Sequence, residues 1–490
     1  MGRFRFVAPG QESLLAQAAT RGFVAGLEGI PWETVCTVAG EQLIVDRDTH
    51  ESGVLTFPWP IAGHGELMLS TSNLMERAEP YLLPLELARG TINKLRNQAF
   101  NWQAAGLTIS GELETLMHEA TLRLAQAATS QEEPLASCRM AQEALDAAAK
   151  ALEQLALQYS QQALAARRQS GALPTLLACR LDEVPTGKAA SRIVDTFNAV
   201  VIPFTWRTVE ASSGDQTWDA WDRLVDWAND RELKVCGGPL IQLDQRSLPD
   251  WIYLWDEDWE ELESYILGHA TAVVERYRGR VHLWNIAGRV NVDPALGIDE
   301  EQLLRLTVDA IESLRNHDPR TPSVVSFDQP WSEHLAEKDR DLPPMHFADT
   351  LARAELGVAG FGLEINWGYW PQGTPPRDAV ELSRLVDRWA MLGHPLLVSL
   401  TAPSSAEADS LARHNGKILV DPQQPDLQRY VIDHLLPVLL AKNSVQCIVW
   451  NNWTDTQPHE FPHSGLIDNQ GRAKPSLRPL ATLKRQYLTE

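Results

Sequence analysis

From residue 173 onward, short apolar runs alternate with stretches whose apolar positions recur every three or four residues. The apolar runs fall near 176–181, 199–204, 234–241, 281–286, 323–327, 358–365, 395–400 and 445–450. Between them AWDRLVDWAND, ELESYILGHATAVVERY, EEQLLRLTVDAIESLR, AVELSRLVDRWAML and LQRYVIDHLLPVLLAK have the spacing of amphipathic helices. Strand and helix alternating through eight rounds predict a parallel sheet closed on itself, an α/β (β/α)8 TIM barrel. An open doubly wound sheet fits less well, because no glycine-rich phosphate loop follows the first run.

Upstream the pattern changes. RFRFVA, TVCTVA, QLIVDR, GVLTFPW and GELMLS are alternating or β-branched runs separated by turn residues, which predicts a small antiparallel β unit over 1–75. It serves either as a cap on the larger domain or as an accessory module with Trp32 or Trp59 as platforms. A helical segment over 76–170 follows, in which Leu85, Ala88, Ile92, Leu95, Ala99 and Trp102 mark one buried face and 111–128 and 134–168 form two more helices. Ser170, Gly171 and Pro174 close it, so the barrel is assigned to 171–490.

Charge narrows the partners. With 65 acidic and 43 basic residues the chain carries −22, which argues against nucleic acid and against an anionic membrane. Neutral sugars are compatible with it, whereas uronate-rich polymers require a local basic patch. The five cysteines are scattered with no CxxC pair, no apolar leader opens the chain, and no run approaches the length of a membrane span. A cytoplasmic protein is expected, without metal or cofactor, and the pattern specifies no oligomeric state.

Candidate chemistry centres on VAGFGLEINWGYW, an apolar strand ending in Glu364, Asn366, Trp367, Tyr369 and Trp370. Side chains just beyond barrel strands form the site in this architecture, and a carboxylate beside aromatics suits a pyranose. Thr205–Trp206, Val209–Glu210, TWDAWDRLVDWANDRELKVCGGPLI, SLPDW, VHLWN and GLIDNQGRAKPS together resemble the glycoside hydrolase family 10 xylanases, within the wider clan of barrel glycosidases. The resemblance implies a retaining barrel glycosidase acting on β-linked sugars with two glutamates, at the ends of strands four and seven. This chain departs there. Asn285 is followed by Ile286 where the family has its acid/base, and Ser399, Leu400, Thr401 stand where it has Thr-Glu-Leu. Gly237–Gly238 and Gln242–Leu243 replace the strand-three Gly-His and Trp-His.

Glu364 stands where the family usually carries Gln, so we expect relocated chemistry: Glu364 as nucleophile or base, and Asp328 or Asp455 as the acid. Asn285, Asn366, Gln329 and Asn451 are candidates for sugar hydroxyls; Trp206, Trp331, Trp367, Trp370, Trp450 and Trp453 are candidates for stacking; Arg289 suits an anionic ligand. The competing reading is that Glu364 pairs with Arg289 or hydrogen-bonds Asn285, in a descendant that binds a saccharide or a protein partner without turnover. His459-Glu460-Phe461-Pro462-His463 satisfies HExxH, but Pro462 argues against the helix a zinc site would need. The expectation is thus a glycoside hydrolase-like protein with an oligosaccharide as its substrate.

Overall fold

A computed structural model describes residues 2–292, 294–337, 342–420 and 426–489. The eight apolar runs become the barrel strands Leu176–Arg180, Ala199–Ile202, Lys234–Gly237, Leu283–Ala287, Ser323–Asp328, Gly360–Asn366, Leu396–Thr401 and Val445–Trp450. They are parallel and closed in chain order, the eighth pairing with the first. Small inward residues fill the lower barrel, among them Ala178, Ala199, Cys236, Val324 and Cys447. Large apolar residues on the opposite faces pack against the surrounding helices. The third strand stops at Gly237, short of the expected 241. Gly238 turns there at φ +110, where a Cβ would meet Asn285 O at 2.2 Å, and Pro239 has no N–H to offer a ladder.

The N-terminal region is more elaborate than one antiparallel unit. Gly2–Val7, Thr34–Ala39 and Gln42–Arg47 form one sheet, which Tyr81–Leu82 joins in parallel to Gly2–Val7. Phe23–Ala25, Val54–Ile61 and Gly65–Ser70 form another. A helix, Glu12–Ala18, links them. Trp59 is buried, with Nε1 donating to Gln142 Oε1 at 2.7 Å, so as folded it presents no ligand platform. Its indole fills space against the long helix.

Helices Leu83–Ala104, Gly111–Thr129 and Pro134–Arg168 pack side by side. The expected stripe from Leu85 to Trp102 is the buried face of the first. The 35-residue third helix buries Ala141, Ala144, Ala148 and Ala151, small side chains that let its neighbours approach closely. Its end is tied to the barrel: Arg167 Nη1 donates to Lys442 O at 3.0 Å and Arg168 Nη2 to Thr489 O at 2.7 Å. A second tie lies beside the sixth strand. Lys94 Nζ sits 2.6 Å from Asp378 and 3.2 Å from Glu381, and Met68 N donates to Pro376 O at 2.8 Å. Burial opposes the Lys94 charge, but these two carboxylates overcome it and raise its pKa. No helix among the described residues is long and apolar enough to cross a membrane.

Candidate active site

Register places Asp328 directly opposite Glu364 on the neighbouring fifth and sixth strands, at their carboxyl ends. Asn366, two residues on, points the same way as Glu364 because side chains alternate along a strand. Its Nδ2 donates to Asp328 Oδ1 at 3.2 Å and to Glu364 Oε1 at 3.1 Å. One amide nitrogen therefore holds both carboxyls, which keeps their nearest oxygens within two hydrogen-bond lengths. Asp328 Oδ1 also accepts from Gln329 N at 2.8 Å. Burial pushes the Asp328 carboxyl well above the usual carboxylate range and the Glu364 charge adds to this, Arg289 offsetting only part.

Arg289 lies between two glutamates. Its Nε and Nη2 donate to Glu364 at 3.1 and 2.5 Å, and its Nη1 and Nη2 to Glu460, both at 2.8 Å. This pairing of Glu364 with Arg289 is the competing sequence reading, and the structure contains it. Arg246 Nη1 is 3.0 Å from the same Glu460. Burial opposes ionisation of Glu460, yet Arg289, Arg246 and Arg180 outweigh it and bring its carboxyl down to about 2. Arg289 and Gln329 have φ of 57° and 44°, left-handed conformations that cost non-glycine residues free energy and often mark sites.

Asp328, Arg289 and Glu460 open onto a cleft of about 550 Å³ lined also by Arg246, Gln329 and Trp370, among others. A narrower cavity of about 50 Å³ runs down the barrel axis past Arg180, Asn285, Ser326, Glu364, Ser399 and Asn451. Asn285 Oδ1, Ser326 Oγ and Asn366 Oδ1 are buried there or beside it with no hydrogen-bond partner among the described residues, so they are free to meet ligand hydroxyls. On the seventh strand Ser399 faces the axis, while Leu400 is fully buried in the outer core. The axis-facing residue there is therefore Ser399, one position before the leucine that the family comparison aligned. Ile286 on the fourth strand is likewise core.

Five of the six candidate stacking tryptophans are corrected by burial. Trp206, Trp331, Trp367, Trp450 and Trp453 are each under a tenth exposed; only Trp370, half-buried, faces the cleft. Trp206 Nε1 donates to Glu210 Oε2 at 3.1 Å and Trp450 Nε1 to Ser464 O at 3.0 Å. Their large apolar areas serve packing, and no ring face is left over for a sugar.

Asp455 is corrected too. It accepts from Lys474 Nζ and Gly465 N, both at 2.6 Å, and from Asn452 Nδ2 at 3.3 Å; none of these bonds reaches Asp328 or Glu364. Nearby, His459 Nε2 is 2.9 Å from Asp409 Oδ2, which also accepts from His463 N at 3.0 Å. Residues 459–463 form no helix, as Pro462 required. Asp409, Asp455 and His463 bring one ligand atom each within 4.8 Å of one another, but Lys474 already supplies the cation there. The sequence reading missed Glu460, Arg246 and Arg180. In sequence Glu460 stands out only as part of a zinc motif, although the loop after the eighth strand is a place from which a side chain reaches the mouth.

Residues 176–293 match the model of glycosyl hydrolase family 10. Endo-1,4-beta-xylanase C of Paenibacillus barcinonensis is 29% identical over 91 residues, 17% of this chain and 8% of that protein. Endo-1,4-beta-xylanase 3 of Hypocrea jecorina is 28% identical over 85 residues, 17% of this chain and 24% of the relative. The chain thus matches less than a quarter of either relative's length. Xylanase 10B from Thermotoga maritima superposes with a TM-score of 0.50 at 16% identity, covering 67% of this chain and 98% of that one, which shows a shared barrel fold. Over residues 176–293, within the closed barrel, this chain is thus similar to glycosyl hydrolase family 10.

Proposed function

We propose that the chain hydrolyses O-glycosidic bonds of β-linked oligosaccharides with relocated carboxyls, Asp328 as acid and Glu364 as nucleophile. One observation carries this: a neutral-leaning carboxyl and an ion-paired carboxylate are held by the same Asn366 amide at the barrel mouth. That spacing suits the ~5–5.5 Å of a retaining pair better than the ~6.5–9.5 Å of an inverting one. Asp328 gives its proton to the leaving oxygen as Glu364 bonds to the anomeric carbon. Water, giving a proton back to Asp328, then releases the sugar from Glu364. Asn285, Asn366, Gln329 and Asn451 hold hydroxyls, and Trp370 offers the ring face.

The matched relatives are endo-1,4-beta-xylanases, so β-1,4-xylooligosaccharides are the first substrates to test. Five unpaired cysteines, four of them buried, support a reducing compartment, and we keep the cytoplasm as the proposed location. A second reading, saccharide binding without turnover, is favoured by the Arg289 hold on both Glu364 oxygens. Product analysis on wild type, Glu364→Gln and Asp328→Asn, with calorimetric binding beside it, separates the two. Turnover lost in both variants supports hydrolysis; binding with no turnover in wild type supports the second reading.

A further inference from the structure

The acidic chain gathers three arginines at its barrel mouth. Arg180 ends the first strand, Arg246 follows the third and Arg289 follows the fourth, so sequence distance conceals a patch that folding assembles. Two of them hold Glu460: Arg289 donates two bonds to its carboxylate and Arg246 adds a third contact at 3.0 Å, while Arg180 is paired with Asp182 at 3.3 Å. A guanidinium fork matched to a carboxylate is a recognition geometry, not merely a neutralising one. Glu460 reaches it from a loop whose backbone is fixed independently, with His414 N donating to Glu460 O at 2.8 Å and Tyr369 Oη to Pro462 O at 2.8 Å. The side chain is about a quarter exposed and lines the cleft. With that carboxylate displaced, Arg246 and one edge of Arg289 would face the cleft they already line beside Trp370.

We infer that Arg246 and Arg289 form a carboxylate subsite for a uronic-acid-bearing oligosaccharide, and that Glu460 occupies it in the free protein as an internal stand-in which the ligand carboxylate displaces. This rests on the saccharide reading of the cleft and adds the class of sugar.

The test compares a glucuronic-acid-substituted xylooligosaccharide with its carboxyl-reduced counterpart by calorimetry, on wild type, Glu460→Gln and Arg246→Gln. The acidic sugar should bind about tenfold tighter than the reduced one. Glu460→Gln should strengthen the acidic sugar alone, and Arg246→Gln should remove most of the preference. Glu460→Gln and Arg246→Gln sit at partly exposed positions, and a single cooperative melting transition well above the assay temperature verifies that both are folded. Equal binding of the two sugars in wild type and Glu460→Gln overturns the subsite and leaves saccharide binding standing. Binding of neither sugar to any form overturns both. Stronger binding of the reduced sugar in Glu460→Gln overturns the displacement, since it would mean that Glu460 merely blocks space.

Discussion

Two groups of acids lie beyond the barrel strands, and they are held differently. Asp455, after the eighth strand, is saturated by Lys474, a backbone N–H and a side-chain amide. Asp328 and Glu364, on strands five and six, are bridged by the Asn366 side chain; Glu364 is ion-paired to an arginine that also serves a second glutamate and lines the narrow axial cavity, while Asp328 opens onto the cleft. A dedicated lysine fixes a carboxylate in place. Shared side-chain donors leave it able to change partners. At the ends of barrel strands, what holds an acid tells more about its use than where it sits in the chain.

The largest test of this contrast is chemical. Glu364→Gln should lower turnover of a β-1,4-xylooligosaccharide about 10²–10⁴-fold while melting stays close to wild type. Next comes Lys474→Met, which strands Asp455 in the core and should cost about 3–5 kcal/mol in denaturant unfolding, with turnover per folded molecule unchanged. A Lys474→Met protein of full stability but reduced turnover would reverse the two roles.

Smaller effects follow pH. The folded Asp328 carboxyl is raised above its unfolded value, so its neutral form favours the fold at low pH and that advantage is lost as pH rises from about 4 toward the folded pKa. Asp328→Asn should therefore gain stability relative to wild type on going from pH 4 to pH 8, measured by melting across buffers. Glu460 has the opposite sign. Its folded carboxyl, at about 2, lies below the ordinary 4.5, so its contribution is present above that value and fades as pH falls toward 2. Glu460→Gln should flatten the acid limb of the melting curve. Trp370→Ala should have the smallest effect on stability and raise KM for the oligosaccharide severalfold, which would locate the remaining ring face.

The barrel was legible because strands buried on both faces leave uninterrupted apolar runs, and amphipathic helices between them leave a different period. The pairing of Asp328 with Glu364 was legible too, since neighbouring strands and a common end suffice to bring two side chains together. Tryptophan identity said little, because a ring that stacks on sugar and a ring that packs a helix against a sheet have the same sequence signature; five of six proved to be packing. The arginine patch was hidden for another reason. Arg180, Arg246 and Arg289 are far apart in sequence and meet only when the sheet closes. Position 399 shows the same limit at fine scale: which of two adjacent residues faces the axis depends on a register that a family comparison can miss by one.

The Lys94 tie carries a consequence for how this protein can be cut. Asp378 opens the helix Ala379–Ala390 and follows the loop that carries Trp370 into the cleft. A barrel excised at residue 171 would leave Asp378 and Glu381 facing a surface built to be covered, with their cation gone and the Met68 bond to Pro376 missing. The first third of the chain is thus tied to one wall of the cleft, so a barrel cut at residue 171 should melt lower than the full chain.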